Sequence, residues 1–269
     1  MINRRLLGGR SLSHAYDAHT LAAWDFDAYD TLLLDSVSGR RLGPVTLEQA
    51  YYDGAPQSDG TFIRYWTNKA RLMSSATKKF GAGSLRWCAH LAQQKRNADG
   101  TVTEPVYASS IELAGFYADS EPAVLTVDFW IYFETAHLHT SGLSIFETNK
   151  ASTYGLKFYY DKSAATVTLK YKKTWISYNT MTTPYTPDAW NHIAMTASSS
   201  GVKFFKDGIT VGSSSDQVYN SIGNSFSVLM DTLVIDPEDK SYGVYFDRLR
   251  FSNIERWTSN FTPPKEWEY

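Results

Sequence analysis

In AVLTVDFWIYFE, residues 123–134, apolar side chains recur at every second position. Side chains alternate across a strand, so Leu125, Val127, Phe129, Ile131 and Phe133 face one way, and Val124, Thr126, Asp128, Trp130 and Tyr132 the other. The first face is wholly apolar and belongs in a core. The second mixes polar and aromatic groups, as on an outer or half-wet concave sheet face. That is the pattern of a strand in a β-sandwich.

Shorter strand-like pieces follow at GLSIFE (142–147), YGLKFYYD (154–161), ATVTLKYKK (165–173), WNHIAMTA (190–197), VKFFK (202–206), ITVG (209–212) and YGVYFDRLRFS (242–252). An aromatic content of 15% agrees, because rings and β-branched residues fit a pleated, half-buried surface. Asp207-Gly208 signals a tight hairpin, since a type I′ turn needs positive φ at both central residues. Ser198-Ser199-Ser200-Gly201 reads as a flexible loop. No long helical periodicity competes; VTLEQAYYD (45–53) is the one stretch that could form a short helix.

With 269 residues, a single large β-domain is within range. The lone cysteine, Cys88, excludes an intramolecular disulfide framework and is expected to be a buried, inert thiol. A net charge of −2 gives no electrostatic argument for nucleic acid or an anionic membrane. No apolar run reaches the roughly 18–20 residues that span a bilayer. MINRRLLGGRSLSHAYDAHT lacks an apolar core, so it does not read as a signal peptide. Synthesis in a host cytoplasm is expected, with exit inside an assembled particle.

Four stretches then fall in a telling order: LAAWDFD (21–27), KKFGAGSLRW (78–87), LTVDFWIYF (125–133) followed by AWNHIAMTASSSGVKFFKDGITVG (189–212), and FDRLRFSNIERWTSNFTPP (246–264). Together they resemble the laminin-G-like, concanavalin A-like lectin/glucanase jelly roll, in the form common in bacteriophage and bacterial surface proteins. The resemblance implies an all-β jelly-roll sandwich of two antiparallel sheets over residues 21–264. An extended N-terminal arm (1–20) precedes it and a short tail (265–269) follows. In the last stretch Phe246, Leu249 and Phe251 are expected in the core, with Arg248 and Arg250 on the opposite face. The segment after them is expected to cross an open edge or end of the sandwich. Trp257 and Phe261 would pin it, and Pro263-Pro264 would stop further pairing.

Members of this superfamily that cut glycans carry paired carboxylates in an E-x-D-x-x-E strand, a spacing that sets acid and nucleophile on one face. That pattern is missing here. Asp25 and Asp27 share a face but read as strand-end acids, DPEDKS (236–241) reads as a loop, and no nucleophile elbow or phosphate-cradling glycine loop occurs. No enzymatic activity is expected. GAGS (81–84) reads as a strand-entry turn. His192, in WNHIA, reads as a structural histidine satisfied at the sheet edge. His137 and His139 would project together if extended, but no third metal ligand accompanies them. Calcium is the one cofactor the resemblance leaves open, with Asp53, Asp59, Asp216 and Asp231 in loop-like stretches.

Sugars stack on exposed aromatics while amides and carboxylates reach their hydroxyls. In KYKKTWISYNT (170–180), the carbohydrate-binding candidates are Tyr171, Trp175, Tyr178 and Asn179. The competing and simpler assignment has these aromatics covering the core edge or a subunit contact. The arm carries Arg4, Arg5 and Arg10 as charged clamps and Leu6 and Leu7 as apolar anchors. It cannot bury enough surface to order itself, so a neighbouring subunit is expected to hold it. The expected role is a non-enzymatic virion component, in a tail, fibre or capsid decoration, present in several copies beside other virion proteins. The alternative is an adhesion module for a host-surface glycan.

Overall fold

The computed structural model describes residues 16–28, 34–37, 39, 50–53, 56–67, 73–88, 91–102, 107–109, 113–117, 122–136, 138, 144–150, 153–173, 177–218, 225–230, 232–234 and 241–265. These hold nineteen strands and no α-helix. The first eight are β1 (Thr20–Trp24), β2 (Ala50–Asp53), β3 (Phe62–Thr67), β4 (Met73–Ser74), β5 (Ser84–Cys88), β6 (Leu91–Arg96), β7 (Tyr107–Ser109) and β8 (Leu113–Tyr117). Next come β9 (Leu125–Phe133), β10 (Ser144–Lys150), β11 (Thr153–Asp161), β12 (Thr166–Lys172), β13 (Tyr178–Pro184) and β14 (Trp190–Ser198). The last are β15 (Gly201–Lys206), β16 (Ile209–Ser214), β17 (Ser225–Met230), β18 (Thr232–Val234) and β19 (Ser241–Ser252).

Two antiparallel sheets form the expected sandwich. The first runs β16-β15-β14-β9-β19-β5-β4, with β1 also on β19; the second runs β13-β12-β11-β10-β17-β8. A five-stranded sheet, β18-β7-β6-β3-β2, was not foreseen. It takes in Ala50–Asp53, so the stretch that could have been a short helix ends as a strand. Cys88 ends β5 opposite Ser241, and its side chain lies outside the described set.

The alternation in β9 places Leu125, Val127, Phe129, Ile131 and Phe133 in the core, each at most 1% exposed. Phe129 meets Phe158 of the facing sheet edge-on at 5.9 Å, and Phe133 meets Tyr160 at 5.4 Å. Each such side chain contributes about 1.5–3 kcal/mol through burial. In β19 Phe246, Leu249 and Phe251 are all in this core as expected. Their three-then-two spacing cannot follow a regular pleat, so the register breaks between Asp247 and Arg250, with Arg248 at φ 53°.

Most of the other face of β9 is buried too, Tyr132 alone of its strand residues staying half-buried, which differs from the half-wet surface expected. Thr126 and Asp128 are sealed because the chain after β19 folds back over them, and Trp130, 9% exposed, is covered by the Phe80 ring and the Lys79 ammonium. Thr126 Oγ1 donates to Ile254 O, and Trp257 and Phe261 stack at 4.0 Å over the sheet. Phe261 packs on His192 and Phe205, and Asn260 Oδ1 accepts from Thr210 N. The strap therefore crosses the outer face of the first sheet, from β9 to edge strand β16, rather than only an open edge or end. A purely apolar inner face and a strap-covered outer face make two stacked cores.

Asp207 and Gly208 have φ of 51° and 78°, the hairpin geometry expected of them. Gly208 also receives the strap: Phe261 N donates to Gly208 O, and a Cβ on Gly208 would lie 1.9 Å from Phe261 O. Gly208→Ala is thus expected to lift the strap and lower the melting temperature by about 2–5 °C. Hydrogen exchange at the Phe261 amide should accelerate; unchanged exchange there would show that the hairpin does not hold the strap.

Candidate functional site

The β12–β13 hairpin carries most of the carbohydrate-binding candidates, paired from Thr166↔Pro184 to Lys172↔Tyr178. Tyr171 shares its face with Val167 and Leu169 and is fully buried, so it offers no stacking surface. This corrects the sequence expectation, and strand parity with Leu169 was the signal. Trp175 lies outside the described residues. Tyr178 is half-buried on the outer face, with Lys170 Nζ 4.7 Å from its ring centre.

Asn179 is the pivot of this rim. Its Nδ2 donates to Tyr171 Oη at 3.0 Å and to Asp216 Oδ2 at 2.8 Å. Asp216 also accepts from Lys173 Nζ and Ser214 Oγ, both at 3.0 Å. Hydrogen bonds from Lys173 and Ser214 hold the Asp216 carboxyl below its ordinary range. The result is a half-buried cluster of amide, carboxylate and ammonium beside a tyrosine ring. Lys173 and Ser214 were not foreseen, because Asn179 and Asp216 are 37 residues apart and no local pattern joins them.

The other calcium candidates fare differently. Asp59 accepts from Thr61 Oγ1, from Lys95 Nζ at 3.0 Å and from Thr61 N, which together drive its carboxyl far down. Asp53 lies in β2 opposite Arg64 rather than in a loop. Asp231, His137 and His139 fall outside the described residues, as do Arg4, Arg5, Leu6, Leu7 and Arg10. Among the described residues no three His, Cys, Asp or Glu side chains are grouped to hold a metal ion.

The carboxylates that could serve acid–base chemistry are engaged structurally. Asp25 and Asp27 both pair with Arg248, Asp27 at 3.2 Å. Asp27 Oδ1 accepts from Ala82 N at 2.8 Å and occupies the space a Cβ on Gly81 would need. Asp247 Oδ2 accepts from Lys79 N and Phe80 N at 2.8 and 2.9 Å. Burial nevertheless pushes Asp247 up to about 7, outweighing those amides and Arg248. The turn through residues 79–83 thus offers backbone donors to two acids, the buried Asp247 from Lys79 and Phe80 and the partly exposed Asp27 from Ala82 and Gly83.

Asp128 forms a second knot beneath the strap. Burial acts to raise its pKa, but Arg250 and His192 prevail and hold it low. His192 sits on interior strand β14, fully buried, with Nε2 3.6 Å from Asp128 Oδ2. Neither ring nitrogen has a hydrogen-bond partner. This differs from a satisfied histidine at a sheet edge: the ring serves as a packing surface for Trp130, Trp257 and Phe261.

A model of the concanavalin A-like lectin/glucanases superfamily, laminin-G type, matches residues 108–256. The chain belongs to this superfamily. No curated protein sequence matches the chain. Among solved structures, the binding domain of botulinum neurotoxin serotype D is similar, with a TM-score of 0.50 and 12% identity over 88% of this chain and 49% of that one. A structure of the receptor binding domain of botulinum neurotoxin D gives a TM-score of 0.47 and 12% identity, over 91% of this chain and 50% of that one. This laminin-G-like chain therefore spans about half the length of those structures, and the likeness is one of fold.

Proposed function

We propose that this laminin-G-like protein is a non-enzymatic attachment or assembly module of a phage-like particle, and that its β12–β13 rim contacts a host-surface glycan. The observation that carries the reading is the contrast between two kinds of polar group. The buried Asp128 and Asp247 and the partly buried Asp25 and Asp27 are committed to arginines or backbone amides. Tyr178 and Asn179, by contrast, stand half-buried at a rim, where their partners are the side chains of Lys170, Tyr171 and Asp216 rather than arginines or backbone amides. A lectin needs the second kind and a glycosidase the first kind set free. The particle assignment draws on the order of sequence motifs and on the basic, leucine-bearing arm, which suits docking to other virion proteins in a multi-copy assembly.

One experiment tests both parts. Residues 1–15 should be deleted rather than 1–20, because Asp17 and Thr20 bind Arg256 and so belong to the folded body. The truncated protein is expected to fold normally by circular dichroism but to be lost from particles. On a glycan array it should keep the full-length signal, whereas Asn179→Ala should weaken it about tenfold, the loss of one well-placed polar contact. Normal incorporation of the truncated form would overturn the docking role. An array blank for the full-length protein would overturn glycan recognition.

A further inference from the structure

Among the described residues, the strap packs on the outer face of the first sheet at the level of His192 and Phe205. Beyond it, three aromatic residues stand side by side on neighbouring strands: Trp190 on β14, Tyr132 on β9 and Tyr245 on β19. Tyr132 lies 5.6 Å from Trp190 and 5.9 Å from Tyr245, centre to centre. Trp190 and Tyr132 are half-buried, whereas Tyr245 is mostly covered. The register sets Arg86 of β5 next in the row, opposite Tyr245.

Two features separate this row from ordinary packing. Arg86 is half-buried, its Nε is sealed from solvent, and that atom has no hydrogen-bond partner. At the strand ends, Glu134 Oε2 accepts from Tyr245 Oη at 3.0 Å, and the exposed Asp188 carboxylate accepts from Thr135 N and Oγ1. The row thus has ring surface, hydroxyl-binding carboxylates on one flank and a guanidinium at the β5 end. It crosses four strands, about 14 Å at the usual strand spacing, which suits a short oligosaccharide better than a single sugar.

We infer that Trp190, Tyr132 and Tyr245, with Arg86 at the end of the row, form a second saccharide subsite for a short oligosaccharide bearing a carboxylate. The inference rests on the attachment reading above but places recognition on a different sheet. Sugar rings lie against Trp190 and Tyr132, Glu134 and Asp188 accept from their hydroxyls, and Arg86 takes the carboxylate through its two terminal nitrogens, its sealed Nε staying within the protein.

The test uses the full chain, a uronic-acid trisaccharide and its carboxyl-reduced neutral counterpart, followed by calorimetry. Wild type should prefer the acidic sugar. Trp190→Ala should weaken both sugars about tenfold. Arg86→Gln should remove the preference without weakening the neutral sugar, and Arg86→Lys should restore part of it. Trp190→Phe, which retains a ring, guards against a folding defect and should bind nearly as wild type. Unchanged affinities in Trp190→Ala and Arg86→Gln, with loss only in Asn179→Ala, would overturn this subsite and leave the rim intact. No binding of either trisaccharide by wild type, with a positive glycan array, would likewise overturn only the subsite; a blank array would remove both.

Discussion

Arg250→Ala is expected to cost about 3–5 kcal/mol of folding stability at pH 7, the range for breaking a buried ion pair from one side. Arg250 Nε and Nη2 reach Asp128 Oδ1 and Oδ2 at 2.9 and 3.1 Å, with the side chains 2% and 1% exposed. Removing the arginine leaves a carboxylate sealed beneath the strap beside a histidine it does not hydrogen-bond. The strap loses a partner as well, since Arg250 lies over the Trp257 ring at 5.7 Å. Because the Asp128 pKa is lowered in the folded state, the stability it contributes is present above its unfolded value and lost as pH falls through the folded one. The double variant Asp128→Leu/Arg250→Met should recover most of the loss, as both charges go together. Urea denaturation of wild type and the two variants measures this, and a loss below about 1 kcal/mol in Arg250→Ala would contradict it.

Asp247 should give the opposite pH dependence. Its folded-state pKa of about 7 lies above the ordinary aspartate value of 3.8, so between the two the folded protein holds a proton that the unfolded chain releases. Stability from this group is therefore full below about pH 4, declines as pH rises, and is gone above about pH 7. The shift corresponds to something on the order of 4 kcal/mol across that window. Burial raises the value most, the amides of Phe80 and Lys79 and the Arg248 charge lower it, and Asp27 adds to the rise. Asp247→Asn, which imitates the protonated acid, should flatten the profile between pH 4 and 7. Asp17, held at about 2 by Arg256 and Thr20 against burial, acts only below that window, so the two effects separate. Parallel urea midpoints for wild type and Asp247→Asn across pH 4–8 would disprove the assignment.

Much of the architecture was legible because it is local. The period-two pattern of β9 decides which side chains share a face, and Asp207-Gly208 decides where a hairpin turns. Phe246, Leu249 and Phe251 belong to one core, and their uneven spacing already implies a bulge. Tyr171 could have been assigned inward by the same parity that buries Val167 and Leu169. The sealed outer face of β9 was not legible in this way. Mixed polar and aromatic composition suits a wet surface, and the returning strap, with Phe80 and Lys79 over Trp130, turns most of it into a second core.

Position along the chain therefore determined the faces, the turns and the family likeness, since each depends on residues a few places apart. Tertiary structure decided the neighbours. Asp25 meets Arg248 across 223 residues, Arg250 meets Asp128 across 122, and Asp17 meets Arg256 across 239. The row of Trp190, Tyr132 and Tyr245 exists only because the sheet order is β14-β9-β19. Loop closure costs only slowly more as the loop lengthens, so sequence separation scarcely discriminates among partners. What discriminates is the burial and charge pairing available once the sheets have stacked, and no stretch of this sequence carries that information alone.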